Sequence, residues 1–160
     1  MNLLLDLIRR FEGLRLQAYR CPAGVWTIGY GSTGPDIVPG LVWTLEQAEQ
    51  RLQAQAQAFV SGTIALCPRL PQLEPLKMAA IADFAYNLGL SRLAGSTLRK
   101  RVNANDWSGA ADELRKWVFA GGLKLPGLVI RREIEARMVC AEGFEPSTPR
   151  FQAENSTRLS

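Results

Sequence analysis

The 160-residue chain contains no histidine, and this absence excludes more functions than any other feature of its composition. It excludes serine and cysteine hydrolases with a histidine base, as well as zinc or iron sites with histidine ligands. It also removes the one side chain whose ordinary pKa, about 6.5, suits proton transfer at neutral pH. Acid–base chemistry must therefore fall to carboxylates, cysteine, lysine or tyrosine.

Cysteines and long apolar segments are also scarce. Cys21, Cys67 and Cys140 are widely spaced and form no Cys-x-x-Cys pair, so neither a zinc cage nor a dense disulfide framework is predicted, and no metal or other cofactor is expected. No segment approaches the ~20 apolar residues that cross a bilayer. The apolar N-terminus is interrupted by Asp6 and followed by two arginines, the reverse of the charge order in a signal peptide. We therefore expect a protein made in the cytoplasm.

The charge balance is basic. There are 19 Lys and Arg residues against 15 Asp and Glu, which gives a net charge of +4 and a pI of about 9.3. This charge suits a polyanionic partner such as nucleic acid, anionic lipid or an acidic cell-wall polymer. The sequence has no nucleic-acid-binding motif and no basic stripe interleaved with aromatics, so nucleic acid is not the expected partner. Salt-sensitive retention on DNA would reverse that expectation.

Hydrophobic periodicity predicts an α+β fold in which helices are segregated from one small antiparallel sheet. Residues 2–12 carry apolar side chains at helical spacing and are followed by Gly13, which predicts a short first helix. Aromatic and β-branched residues alternate with glycines and prolines over residues 14–40, a pattern typical of short strands and tight turns. We expect a small β-lobe at about residues 13–43, a larger helical lobe, and a ligand cleft between them.

Helices are expected to dominate the rest of the chain. Thr44 and Gln47 predict a capping box at the start of the second helix. The predicted apolar face of that helix has five members: Leu45, Ala48, Leu52, Ala56 and Phe59. The almost uniformly apolar run 76–88 predicts a helix buried on most sides, and residues 96–104 predict a short one.

The next helix is predicted to begin at Asn105 or Asp106, to carry an apolar stripe as far as Val118, and to be broken at Gly121 and Gly122. Pro126 and Gly127 are expected to start the last helix. Its apolar side should comprise Ile130, Ile134 and Met138. Its charged residues should lie elsewhere: Arg131, Arg132, Glu133 and Arg137. Residues 1–140 are thus predicted to form a single domain, and residues 141–160 an irregular C-terminal tail.

Glu12 is the first candidate for catalysis. A carboxyl group at the C-terminus of a helix meets the partial negative charge of the last carbonyls, which disfavours its ionised form. Desolvation by Phe11 and Leu14 would act in the same direction. A carboxylic acid that stays protonated can serve as a general acid. The alternative is a structural ion pair between Glu12 and an arginine, for which Arg131 and Arg132 are the candidates.

A wider pattern surrounds this glutamate. Eight residues separate Glu12 from Cys21, and five separate Cys21 from Thr27. Further segments follow in order along the chain: Thr27–Gly31, Phe84–Gly89, Ser96–Leu98, Trp117 and Pro126–Glu133. Together they cover roughly residues 3–140, and their order and spacing resemble the phage-type lysozymes, glycoside hydrolase family 24.

The resemblance implies a lysozyme-like fold and hydrolysis of the β-1,4 bond between N-acetylmuramic acid and N-acetylglucosamine in peptidoglycan. It makes Glu12 the general acid, places Cys21 where a second carboxylate stands, and has Thr27 help to hold the attacking water. It also implies five residues that line the saccharide cleft: Tyr30, Gly31, Tyr86, Asn87 and Thr97. Ordinary core and turn positions are the alternative for these five.

Two positions depart from the better-known members of this family. Cys21 stands where they carry aspartate, although cysteine is an accepted variant. A free thiol with an ordinary pKa of about 8.5 is roughly 3 % thiolate at pH 7, unless Arg15 or Arg20 lowers that pKa. Ser32 stands where several relatives carry a structural histidine, so this change bears on stability more than on chemistry.

Two rival functions remain open beside the muramidase. A lytic transglycosylase would use Glu12 alone and leave a 1,6-anhydro end. A wall-binding module would keep the cleft without catalysis. The resemblance further implies peptidoglycan as partner, a monomer, and residence in the host bacterial cytoplasm until a separate holin-type protein permeabilises the membrane. The Arg99–Arg101 run either raises the rate of encounter with an anionic wall or is a solvated helix face.

Overall fold

The computed structural model describes residues 1–141. The remainder of the predicted tail, residues 142–160, lies outside the described residues. The described elements, in chain order, are α1 (Asn2–Glu12), β1 (Arg15–Arg20), β2 (Trp26–Gly29), α2 (Leu45–Leu66), a 3₁₀ turn (Leu70–Gln72), α3 (Pro75–Leu88), α4 (Leu90–Ala94), α5 (Thr97–Asn103), α6 (Trp107–Arg115), β3 (Phe119–Ala120), β4 (Leu123–Lys124) and α7 (Pro126–Cys140).

The first helix leads directly into the β-ribbon. The buried face of α1 comprises Leu4, Leu5, Leu7 and Ile8. Gly13 ends the helix with a φ of 68°, and its N–H donates to the carbonyl of Arg9 at 3.3 Å. β1 and β2 then pair antiparallel, with Tyr19 opposite Thr27, and their register shifts between Arg15 and Tyr19. The chain therefore places the end of α1 close to the ribbon, as the sequence predicts.

The capping box predicted for α2 is present. Thr44 Oγ1 accepts from the Gln47 N–H at 3.1 Å, and Gln47 Oε1 accepts from the Thr44 N–H at 2.9 Å. Of the predicted apolar face, Ala48, Leu52 and Ala56 are buried, and Phe59 packs partly against the core. Leu45 is an exception, since it is 55 % exposed, so the buried stripe starts one turn after the helix begins.

α3 occupies the centre of the helical part. It packs against α1, α2 and α7, and most of its residues from Leu76 to Ala85 are buried. This confirms the prediction of a helix enclosed on most sides. Two members of this run are charged: Lys77 is buried near its edge, and Asp83 is completely buried.

The segment between α5 and α7 departs from the prediction. Asp106 caps α6, accepting from the Gly109 N–H at 2.9 Å, but the helix ends at Arg115 rather than continuing to Val118. A second antiparallel hairpin, β3–β4, follows. Gly121 and Gly122, with φ of 57° and 78°, form its turn. Two consecutive positive φ angles fit the two-residue turns that glycine favours in hairpins.

The expected polarity of α7 is wrong. Ile130 is 53 % exposed, whereas Arg131 and Arg132 are buried. Met138 is buried as predicted, and Ile134 packs partly against the core. The charged side chains can lie inside because each meets carboxylates there, and a paired buried charge costs far less than an isolated one.

Candidate active site

Glu12 lies where α1 ends, and its side chain is 21 % exposed. Its Oε1 accepts a hydrogen bond from Arg131 Nη1 at 2.7 Å. Its Oε2 lies against the backbone of Gly31, since a Cβ placed at that glycine would be 3.0 Å from this oxygen. Gly31 also has a φ of 80°, in the left-handed region that favours glycine. The glycine therefore allows the turn after β2 to approach the carboxylate.

Arg131 connects Glu12 to the interior. Its Nε and Nη2 donate to Asp83 at 2.9 and 2.8 Å, a two-pronged pairing with both carboxylate oxygens. Its guanidinium also stands 5.2 Å from the ring centroid of Phe11. Burial opposes the charged form of Arg131, but the hydrogen bonds and charges of Asp83 and Glu12 outweigh it and hold the pKa of Arg131 above its usual value. Arg131 is therefore a fixed cation beside Glu12.

A second buried pair lies next to this one. Arg132 donates from Nη2 to Glu135 Oε1 at 2.8 Å, and both side chains are fully buried. Burial raises the pKa of Glu135 well above its ordinary value, which favours the neutral acid. Glu135 Oε1 lies 4.0 Å from Arg131 Nε, so Arg131 is bound by Asp83 and Glu12 rather than by Glu135. Of the two arginines that the sequence offered as partners of Glu12, only Arg131 contacts it.

Cys21 and Thr27 come together at the other end of the ribbon. Cys21 follows β1 in a turn in which its N–H donates to the Val25 carbonyl at 3.0 Å. Hydrogen bonds to the sulfur, first from the Val25 backbone and more weakly from the Ala23 backbone, lower the pKa of Cys21 against the opposing effect of burial. Thr27 is buried, and its hydroxyl also donates to the Val25 carbonyl at 3.0 Å.

Tyr30, one of the predicted cleft residues, is bound to the helical part. Its side chain is buried, and its hydroxyl donates to Glu49 Oε1 at 2.6 Å. Glu49 is also bound by Arg9, at 2.6 and 3.2 Å. The Tyr30 carbonyl accepts from the Tyr86 hydroxyl at 2.8 Å. The Tyr30 side chain thus holds the ribbon to α2, and its contact with a saccharide stays a prediction.

The other three predicted cleft residues are distributed over α3 and α5. Tyr86 is partly buried, and its ring packs against Phe59 with 5.2 Å between centroids. Burial, with the nearby charge of Glu12, raises the pKa of the Tyr86 phenol. Asn87 Oδ1 is covered yet has no hydrogen-bond partner within residues 1–141. Thr97 is exposed at the start of α5, directly after the cap residue Ser96.

Asp83 is the residue of this site that the sequence interpretation missed. A single acidic residue inside the apolar run 76–88 was the available signal, since a buried carboxylate requires a cationic partner. That partner, Arg131, is 48 residues away along the chain. Helical periodicity carries no information on such a long-range pairing.

A glutamate at the end of the first helix, facing a glycine turn of a small β-ribbon and backed by a helical bundle, is the arrangement of a lysozyme fold. The phage lysozyme family model matches residues 9–135. An endolysin of Acyrthosiphon pisum secondary endosymbiont phage 1 is 42 % identical over 138 residues, which cover 82 % of this chain and 90 % of the relative. The chain belongs to the phage lysozyme family, and it is a peptidoglycan-hydrolysing enzyme.

Solved structures agree with this assignment. The endolysin from Escherichia coli O157:H7 phage FAHEc1 superposes with a TM-score of 0.76 at 35 % identity, over 87 % of this chain and 91 % of that one. The muramidase domain of SpmX from Asticaccaulis excentricus gives a TM-score of 0.79 at 29 % identity, over 89 % and 97 % of the two chains. Within residues 1–141, no helix is both long and apolar enough to cross a bilayer.

Proposed function

We propose that this enzyme is a muramidase, which hydrolyses the β-1,4 bond between N-acetylmuramic acid and N-acetylglucosamine with Glu12 as general acid. The observation that carries the proposal is the position of the Glu12 carboxyl. One of its oxygens is bound by Arg131, and the other faces a turn whose glycine places no side chain in the way. A half-buried acid with one oxygen left for a ligand is suited to donate a proton to a departing oxygen.

The proposed reaction begins with proton donation. Glu12 gives its hydrogen to the glycosidic oxygen that leaves with N-acetylglucosamine, and the bond from that oxygen to C1 of N-acetylmuramic acid breaks. A water molecule supplies its oxygen to C1 and its proton to a base. Thr27 holds that water and Cys21, as thiolate, accepts the proton. Inversion at C1 needs room for the water, and separations of ~6.5–9.5 Å between acid and base are usual in inverting enzymes.

Cys21 can act as this base only as the thiolate. Hydrogen bonds from the turn after β1 lower the pKa of its thiol, which increases the thiolate fraction at neutral pH. The same bonds fix the sulfur beside Thr27. These contacts support a chemical role for Cys21, in the place where a carboxylate would otherwise stand.

The proposed saccharide groove lies between the β-ribbon and the helices. Gly31 would border the sugar at the cleavage point, and Tyr86, Asn87 and Thr97 would contact it along α3 and α5. The covered and unpaired Oδ1 of Asn87 supports this role, because a buried acceptor without a partner is costly unless a ligand or water supplies the donor. Tyr30 would lie beneath the groove and hold the β-ribbon in place, through the hydrogen bond of its carbonyl with Tyr86 and that of its hydroxyl with Glu49.

A lytic transglycosylase is the second candidate, favoured by the thiol at position 21 in place of a carboxylate. In that reaction Glu12 first donates its proton and then accepts one from the 6-hydroxyl of the same N-acetylmuramic acid, so no water is consumed.

Product analysis separates the candidates. Purified peptidoglycan is digested with the wild-type protein, and the fragments are reduced with borohydride and weighed by mass spectrometry. Hydrolysis leaves reducible muramic ends. A 1,6-anhydro end, lighter by one water and resistant to reduction, would establish the transglycosylase instead. Absence of reducible muramic ends among the released fragments would refute the muramidase proposal.

We also propose that the enzyme acts as a monomer, and that it reaches its substrate after a separate holin-type protein has permeabilised the host membrane. Peptidoglycan lies outside that membrane, and a folded basic protein cannot cross an intact bilayer unaided. Expression in the bacterial cytoplasm should leave cells turbid until a membrane-permeabilising agent is added, and then clear them. Light scattering during gel filtration tests the monomer.

A further inference from the structure

We propose that Asp83 is a positioning residue for hydrolysis: it holds Arg131 so that the acidic hydrogen of Glu12 sits on Oε2, beside Gly31. The inference rests on the proposed role of Glu12 as the proton donor. Asp83 itself touches neither Glu12 Oε2 nor the groove. It acts through the guanidinium that it binds.

The hydrogen bonds of Arg131 determine how its guanidinium is turned. Nε donates to Asp83 Oδ2 at 2.9 Å, Nη2 donates to Asp83 Oδ1 at 2.8 Å, and Nη1 donates to Glu12 Oε1 at 2.7 Å. Two parallel bonds to one carboxylate fix the plane of a guanidinium as well as its place. With that plane fixed, Nη1 is the only nitrogen that faces Glu12.

Burial makes this arrangement rigid. Asp83 is completely buried and Arg131 is 3 % exposed. Turning the guanidinium would break two charge-assisted bonds in a region where water cannot replace them. The contact also joins three helices, because Asp83 lies on α3, Arg131 on α7 and Glu12 at the end of α1. Movement of Glu12 relative to α3 is therefore restrained through Arg131.

The position of the hydrogen follows from donors and acceptors. Arginine carries N–H donors and no acceptor. Glu12 Oε1 therefore keeps its accepting role toward Arg131, and the hydrogen of the protonated acid goes to Oε2. That oxygen lies against the backbone of Gly31, on the side where no side chain intervenes. The general acid is thus presented with its hydrogen toward the ribbon and away from the core.

The charges around Glu12 give the inference a measurable consequence. Arg131 faces it from α7, Asp83 stands behind Arg131, and Tyr86 faces it from α3 as a neutral phenol. Asp83 compensates the charge of Arg131. In the Asp83→Asn variant, one of the two carboxylate oxygens that fix the guanidinium is replaced by an amide N–H, so Arg131 can turn and the loss should fall on kcat rather than on KM.

The test compares the Asp83→Asn variant with Glu135→Gln. Both positions are fully buried in the same cluster, but Glu135 hydrogen-bonds Arg132 and stands 4.0 Å from Arg131 Nε, whereas Asp83 hydrogen-bonds Arg131 at 2.8 and 2.9 Å. Asp83→Asn should lower kcat about 10- to 100-fold with little change in KM, because a small misplacement of a catalytic group has effects of that size. Glu135→Gln should lower kcat far less. Equal effects of the two variants on kcat, or a loss in Asp83→Asn that falls on KM alone, would overturn the inference.

A double-mutant cycle shows whether Asp83 acts through Arg131. Adding Asp83→Asn to Arg131→Met should cause no further loss of kcat, whereas independent roles would make the two losses multiply. The pair of substitutions also removes both buried charges together, so the double variant should fold even where Asp83→Asn alone does not. A multiplicative loss would refute the proposed route.

Failure of the inference differs from failure of the proposed function. If the wild-type protein releases no wall fragments, the muramidase proposal fails. The inference can then still be tested without substrate, by recording the ¹³C shift of the Glu12 carboxyl carbon at one pH, which reports on its hydrogen bond from Arg131. The shift should change in Asp83→Asn and stay close to the wild-type value in Glu135→Gln. No difference between the two variants would refute the inference.

Discussion

Replacing Tyr30 by phenylalanine separates a structural position from a substrate contact. The hydroxyl that would be lost donates to Glu49 Oε1 at 2.6 Å, and the ring itself would remain, so no cavity is created. A hydrogen bond to a charged group contributes about 1.5–3 kcal/mol. The Glu49 side chain is 27 % exposed and keeps Arg9 as a partner, which favours the lower end of that range.

We therefore expect Tyr30→Phe to lower the free energy of unfolding by about 1.5 kcal/mol. For a domain of this size, this corresponds to a fall in Tm of roughly 3–6 °C. Tyr19→Phe is the matched control, because the Tyr19 hydroxyl makes no hydrogen bond within the described part of the chain. Its Tm should stay within about 1 °C of wild type.

The pH dependence of this loss has a definite sign. Hydrogen bonds from Arg9, and next from Tyr30, lower the pKa of Glu49 in the folded protein. A lowered carboxylate pKa adds stability above its unfolded value of about 4.3, and that stability disappears as the pH falls through the folded value. The Tm difference between wild type and Tyr30→Phe should be largest near pH 6–7 and shrink below about pH 4.

Thermal unfolding followed by circular dichroism measures Tm, and lysis of a wall suspension at 25 °C measures KM and kcat. The structure predicts a lower Tm with KM unchanged for Tyr30→Phe. An unchanged Tm together with a raised KM would refute the structural role of Tyr30 and restore its predicted place in the saccharide groove.

Three further predictions concern the site itself. Cys21→Asp should retain lysis in the turbidity assay, whereas Cys21→Ser should lose most of it, because serine offers no base at neutral pH. Equal rates for the two variants would show that the sulfur has no role in the reaction. Iodoacetamide at pH 7 should modify Cys21, and lysis should fall in parallel. Cys67 should stay unmodified, because it is buried and burial raises the pKa of its thiol to about 11. Peptide mass spectrometry measures the modification of both, in a Cys140→Ser protein so that the exposed third cysteine does not react. Gly31→Ala should lower the free energy of unfolding by about 1–3 kcal/mol, because the φ angle at this position is positive. It should also reduce the rate of lysis, because the added methyl group would crowd Glu12 Oε2. An unaltered Tm and an unaltered rate of lysis would contradict that geometry.

Local signals in the sequence predicted local structure well. The capping box at Thr44 and Gln47 and the buried run 76–88 are present as expected. The β3–β4 hairpin was missed because strands of two residues are too short to show alternation. The glycines of its turn were interpreted only as a helix break.

Long-range pairing could not be predicted in the same way. Arg131 and Arg132 were expected away from the apolar side of α7, whereas carboxylates from the same helix, from α3 and from α1 draw them into the core. The Arg99–Arg101 run is similar, since Arg99 donates to the carbonyls of Leu66 and Ala94 near the ends of α2 and α4. Charge in a sequence shows that a partner is needed, but only the fold shows which one.

The most direct test of Glu12 as proton donor is the Glu12→Gln variant on purified peptidoglycan. Glutamine keeps the shape and can still accept from Arg131 Nη1, but it has no acidic hydrogen. The rate of fragment release should fall about 10²–10⁴-fold, while Tm and sedimentation with walls stay near those of wild type. A variant that releases fragments within a few-fold of the wild-type rate would contradict the mechanism.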